Sequence, residues 1–305
     1  MLALLEALKQ RGYAFVSPTP ATHQRVIARP HKALAGDLRD VFGWSLPFRP
    51  DLLEPELCRI VIDGGLAEVG ANDLLKATVR VSSLGDNLIV HSAYPTVHED
   101  AVFFGPDSYR FANLIEQELG RLDSQRVTTA LDIGTGAGVG AIVIRQGCPS
   151  ARVLATDVNP KALRFAAVNA QAAGAQIEFI ETSGIPHPDL PIDLAVANPP
   201  YIIDGASRAY RDGGDLHGAQ VAMDMVADTL PRLSARGTMI LYTGSAIIDG
   251  ADGLKTQLQG LAAAHQRALN YRTLDPDVFG EELANPSYRD VERIELVAAV
   301  FLGAN

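Results

Sequence analysis

The chain has 305 residues, 47% of them apolar, enough for a sizeable core in one large or two ordinary domains. Its formal net charge of -10 argues against a protein that grips long nucleic acid through clustered lysines and arginines. Cys58 and Cys148 are too few for a disulfide framework and point to a reducing compartment.

In chain order, residues 1–9 are apolar but broken by Glu6 and Lys9. They read as an amphipathic helix, not as a signal peptide, whose positive charge would come first. No run approaches the ~20 apolar residues of a membrane span, so a cytoplasmic protein with no membrane partner is expected. Residues 39–48 and 50–57 suggest short helices between proline turns, and residues 77–83 and 87–92 alternate like paired strands around Gly85-Asp86. Residues 1–100 are thus expected to form a smaller α+β module, winged-helix-like in outline, with Trp44 in its core. Pro106 breaks any preceding element, and Asp107 or Ser108 can cap a helix over residues 109–122.

From there the pattern alternates. A strand at 126–132 runs into Ile133-Gly134-Thr-Gly136-Ala-Gly138-Val-Gly140 and a helix at 141–146. Strand 152–157 ends in Asp157, and helix 160–173 has Pro160 at its first turn and Gly174 after its end. Strands 177–181 and 192–197, helix 217–233, strand 238–243, helix 250–263 and a last strand at 291–301 follow. This βαβ alternation means an α/β fold with a parallel sheet and helices on both faces over residues 101–305.

Asn198-Pro199-Pro200-Tyr201 follows the apolar strand 192–197. The prolines fix φ and leave carbonyls free as acceptors, the Asn adds an amide, and the Tyr adds a flat ring. Together they suit a planar group bearing N–H; alone they would read as an ordinary turn. The glycine turn brings backbone N–H groups and a helix N-terminus to a ligand, and from Gly136 it even fits the dinucleotide pattern G-x-G-x-x-A. Asp132, just before the turn, would face a pyrophosphate with a negative charge. A phosphate-free cofactor with an ammonium and a sulfonium, S-adenosylmethionine, suits it better than NAD. Asp157 can take ribose hydroxyls in either.

Leu131-Asp-Ile-Gly-Thr-Gly-Ala-Gly, Thr156-Asp-Val-Asn-Pro-Lys-Ala-Leu and Asn198-Pro-Pro-Tyr-Ile resemble the motifs of class I S-adenosylmethionine-dependent methyltransferases. The likeness is nearest to the group with the HemK-type N5-glutamine methyltransferases and the amino-methylating nucleic-acid enzymes, and it spans about residues 102–245. It implies a Rossmann-like seven-stranded sheet. Asp132, Gly134, Gly136 and Gly138 would hold the methionine end and Asp157 the ribose. Asn198 and the Pro199 carbonyl would hold the acceptor nitrogen, with Tyr201 on its plane and Pro200 completing the catalytic motif. Pro106-Asp107-Ser108 resembles a P-D-T segment that covers the cofactor. Two features depart from the group: Ser183, with Glu181 nearby, stands where an acid usually takes the adenine amine, and the first hundred residues do not look like a release-factor-docking helical domain.

The implied activity is N-methylation of a planar amide or amine of a protein or small molecule. An RNA or DNA base amine, or a non-catalytic scaffold, is the competing reading. Delocalised nitrogen needs no strong general base, so His91, His98 and His217 are assigned no role, and no metal is expected. Asn285-Pro-Ser-Tyr288 reads as a turn, the acids Asp275, Asp277, Glu281 and Glu282 as a solvated face in preference to the entrance for a cationic substrate, and residues 210–215 as a lid-like loop.

Overall fold

A computed structural model describes residues 1–187, 189–203 and 211–303. Helix α1 (Leu2–Gln10) buries Leu4, Leu5 and Leu8. Helix α2 (Pro20–Ile27) is capped by Thr19, and α3 (Leu38–Phe42) by Asp37, which accept from the backbone N–H of Thr22 and Asp40. Helix α4 (Pro55–Asp63) follows. The sequence did not signal α2, because His23 is its one buried residue and no apolar stripe forms. Strand β1 (Ala67–Val69) pairs with β2 (Leu75–Ala77), and β3 (Val79–Leu84) with β4 (Asn87–Ser92), both antiparallel. Leu84 lies opposite Asn87, so Gly85-Asp86 is a two-residue hairpin turn, as expected.

Helix α5 (Pro106–Leu119) starts at Pro106, three residues before the expected 109. Proline is tolerated there because the first helical N–H has no partner to lose. Of the two expected capping residues, Asp107 makes no cap, while the Ser108 hydroxyl accepts from the Gly105 N–H at 3.2 Å. Then come β5 (Thr129–Ile133), α6 (Val139–Gly147), β6 (Arg152–Asp157), α7 (Pro160–Ala172), β7 (Glu178–Glu181) and β8 (Ile192–Ala197). A short turn α8 (Asp215–Gly218), α9 (Gln220–Thr229), β9 (Leu233–Ile248), β10 (Ala251–Asp252), α10 (Gly253–Ala264), β11 (Ala268–Val278) and β12 (Arg293–Leu302) complete the chain.

The main sheet has the order β11-β12-β9-β8-β5-β6-β7, with β10 hanging off β9. Strands β5 to β9 are parallel, while β12 runs antiparallel to both β9 and β11. This is the expected seven-stranded α/β sheet. Its order reverses at the neighbours β5 and β8, where such sheets open a crevice at the strands' carboxyl ends. Helices α9 and α10 cover one face through Val226 and Leu258, against Leu131, Leu241 and Val297. On the other face α5, α6 and α7 pack through Ile115, Ile142 and Phe165.

Two expected elements differ, and a third was not foreseen. The helix at 217–233 shrinks to α9, because Leu216 and His217 take left-handed φ of 56° and 54°. Strand β9 is 16 residues long instead of covering 238–243, because β12 pairs with it from Thr238 to Ile247. Strand β11 carried no clear pattern because, at the sheet edge, its residues are half-buried or exposed.

The N-terminal third docks on α7 through a buried carboxamide. Asn169 Oδ1 accepts from the Val90 N–H at 2.8 Å, and its Nδ2 donates to the carbonyls of Val90 at 3.0 Å and Ala137 at 2.9 Å.

Candidate active site

The carboxyl ends of β5, β6 and β8 open into a cleft of about 480 Å³, a size suited to a small organic ligand. Gly134, Gly136, Asp157, Ser183, Asp107 and Ser108 all line it, as do Asn198, Pro199, Pro200 and Tyr201. The sequence therefore named residues from five separate stretches that the fold brings to one place.

The glycine turn takes its shape from local needs. Gly136 sits at φ +53° and donates its N–H to Asp157 Oδ2 at 2.9 Å. Asp157 Oδ1 accepts from the Asn159 N–H at 2.8 Å. Burial raises the Asp157 carboxyl above its usual range, opposed by these backbone N–H groups.

Asp132 departs from its expected place. It is 1% exposed and does not line the cleft. Its Oδ2 accepts from Thr135 Oγ1 at 2.5 Å and from the Ala141 N–H at 2.8 Å, at the start of α6. Gly140 makes room, since a Cβ there would come within 2.7 Å of the carboxylate. Burial pushes Asp132 up to about 6, against the lowering hydrogen bonds. A contact with a ligand's ammonium is therefore replaced by a charge held behind the turn. Gly138 is also off the cleft wall: its Cβ would meet Ala166 of α7 at 3.1 Å, so it serves helix packing. Pro106 opens α5 without lining the cleft, while Asp107 accepts from the Tyr242 hydroxyl at 2.8 Å.

Asn198 is half-buried, and among the described residues its carboxamide has no hydrogen-bond partner. Tyr201 is 8% exposed, its ring edge-on to Tyr242 at 6.5 Å and to Phe279 at 5.7 Å. Gly244 of β9 accommodates it, because a Cβ there would lie 2.4 Å from the ring. Among the described residues its hydroxyl is buried without a partner, and burial drives its pKa well above the usual value. Tyr288, in the turn at Pro286–Tyr288, accepts from the Ile203 N–H at 2.7 Å. The turn at Asn285-Pro-Ser-Tyr288 thus braces the chain two residues beyond Tyr201.

Other cleft residues escaped the sequence reading. Asp224 and Asp228 stand one helical turn apart on α9, a signal available from spacing alone. Phe279 arrives through the β11–β12 connection, for which no local signal exists. Of the acids expected to be solvated, Asp275 pairs with Arg110 and Glu282 with Arg211. His91 is buried against Ser82, and His217 pairs with Asp290. Tyr210, at the start of the expected lid-like loop, lies outside the described residues.

The cleft's charge tests which cofactor fits. Among the described lining residues Arg211 is the one cation, and Glu282 neutralises it, against Asp107, Asp157, Asp212, Asp224 and Asp228. A pyrophosphate would meet acids here, whereas a sulfonium with an ammonium fits. Among the described residues no group of three His, Cys, Asp or Glu could hold a metal, and no helix is long and apolar enough to cross a membrane.

Sheet order, glycine turn and acceptor motif are arranged as the resemblance to class I S-adenosylmethionine-dependent methyltransferases implies. Residues 114–247 match the family described as "Methyltransferase small domain". The chain is 34% identical over 180 residues to the release factor glutamine methyltransferase of Deinococcus radiodurans, covering 58% of this chain and 63% of that one. It is 34% identical over 169 residues to that of Bordetella pertussis, covering 50% and 61%. It thus spans less than two thirds of these relatives' length. The crystal structure of wild-type Trm5b from Pyrococcus abyssi shares the fold, with a TM-score of 0.50 at 13% identity over 77% of this chain and 62% of that one.

Proposed function

We propose that the protein transfers a methyl group from S-adenosylmethionine to a planar amide nitrogen of a protein side chain. Glutamine is the acceptor named for its relatives. The observation that carries the reading is the Asn198 carboxamide, unpartnered among the described residues, on the wall of an acid-lined cleft. When bound, the cofactor supplies an electrophilic methyl carbon. Gly134, Gly136 and Asp157 bind it, and Asp132 adds a negative charge from behind the turn. Asp228, exposed and 4.0 Å from where a Gly184 Cβ would be, takes the adenine amine that Ser183 cannot hold as an acid would.

Asn198 Oδ1 and the Pro199 carbonyl accept the N–H bonds of the acceptor amide. They orient its nitrogen and stabilise the positive charge that develops there. No general base is needed before transfer. Residues 101–305 carry the transfer, residues 1–100 recognise the acceptor, and the reaction takes place in the cytoplasm.

Four exposed arginines, Arg25, Arg29, Arg39 and Arg49, make no ion pair among the described residues and favour a second reading, an RNA acceptor. Salt-sensitive RNA retention by the full chain separates the two. Calorimetry with S-adenosylmethionine, S-adenosylhomocysteine and NAD tests the cofactor: tight NAD binding with no response to the other two overturns the proposal.

A further inference from the structure

The N-terminal third encloses a second, smaller pocket. It lies between Pro18, Pro20 and His23 at the start of α2, Arg80 on β3, and Tyr94 beyond β4. Its volume of about 10 Å³ admits one atom the size of a water oxygen. Phe103 lines both this pocket and the large cleft.

Arg80 is 6% exposed, and among the described residues no carboxylate pairs with it. Its Nε donates to the Gly43 carbonyl at 2.9 Å and its Nη2 to Ser17 Oγ at 2.7 Å, which leaves Nη1 without a partner. Arginine is almost never this deeply buried without a counter-charge. His23 is wholly buried. Its Nε2 lies 3.0 Å from the Trp44 carbonyl and so carries the proton, while Nδ1 is buried with no partner among the described residues. The groups facing His23 are Arg80, Lys76 on β2, His91 on β4 and the stacked Tyr94 ring at 4.0 Å. Burial, then Arg80 and Lys76, hold His23 down at about 4; Lys76 does not line the pocket, so Arg80 is the one charged group among its described lining residues near neutrality.

The other walls decide the ligand. Pro18, Pro20, Tyr94, Phe103 and Phe104 supply most of the remaining wall, beside the polar Ser92, Thr96 and His91, and no second Lys or Arg is among the described lining residues. A nucleic-acid phosphate would need cations there. Exposed Val16 and Val97 stand close by in sequence, at 69% and 59% exposure.

We propose that this pocket seats one oxygen of a carboxylate carried on an apolar stem, between Arg80 Nη1 and His23 Nδ1. On binding, the carboxylate oxygen accepts from the guanidinium, and Nδ1 takes up one proton from solvent to donate to the same group. The site is built from N-terminal residues alone and does not depend on the methyl-transfer reading.

The test is a titration of the full chain, with its histidine rings labelled for NMR, against acetate, butyrate, chloride and inorganic phosphate at equal ionic strength. Butyrate shifts the His23 ring signals saturably and more tightly than acetate, with proton uptake seen by calorimetry in two buffers. Chloride and phosphate leave the signals in place. A chloride or phosphate response as strong as butyrate's, or no saturable response to either carboxylate, overturns the proposal. Arg80→Gln loses the butyrate response; a folded variant that keeps it also overturns the assignment. If that variant does not fold, the wild-type titration alone decides.

Discussion

Asn169→Ala is the sharpest test of how the N-terminal third is tied to the site. Asn169 is wholly buried and makes three hydrogen bonds, two to Val90 and one to Ala137 of the cleft wall. Alanine removes all three and leaves one N–H and two carbonyls facing each other in a space too apolar to hydrate them. Each buried orphan costs ~1–3 kcal/mol. Allowing for relaxation, the expected loss is ~3–4 kcal/mol. Urea unfolding of wild type and variant measures it, as a fall in midpoint at unchanged slope. Since Ala137 lines the cleft, S-adenosylmethionine affinity should fall with it. A loss below about 1 kcal/mol would refute the view that this carboxamide docks the two parts.

Asp157→Ala should weaken S-adenosylmethionine binding at least about tenfold, or ~1.4 kcal/mol, by calorimetry; unchanged affinity removes Asp157 from the site. Asp132 has its folded pKa raised from 3.8 to about 6, so the native state binds its proton at higher pH than the unfolded chain. Stability therefore falls by about 3 kcal/mol as pH rises from about 4 to about 6 and is flat above. Asp132→Asn should flatten that slope in thermal melts across pH. Gly244→Ala pushes a methyl into the Tyr201 ring, an overpacking worth ~1–3 kcal/mol. Turnover should drop while cofactor affinity stays within about twofold; a fully active variant means the ring position is irrelevant.

The sheet and the cleft were legible because their signals are local. Apolar strands ending in Asp132, Asp157 and Asn198 announce themselves by composition, and a parallel sheet then carries those ends to one crevice. Which way a side chain turns is not local. Asp132 faces inward because Gly140, eight residues on, leaves space for it, and Tyr201 is boxed by β9 and by Phe279, nearly eighty residues away. The same holds for α2, whose one buried residue gives no periodicity, and for Tyr288, whose brace on Ile203 spans 85 residues.

The central claim is that Asn198 presents an amide nitrogen of a protein for methylation. The direct measurement is transfer of labelled methyl from S-adenosylmethionine into fractionated cell extract by wild type and by Asn198→Ala, which should bind cofactor nearly as well. The expected result is label on a glutamine amide in the protein fraction, abolished by Asn198→Ala. Label in RNA, or undiminished transfer by Asn198→Ala, would contradict it.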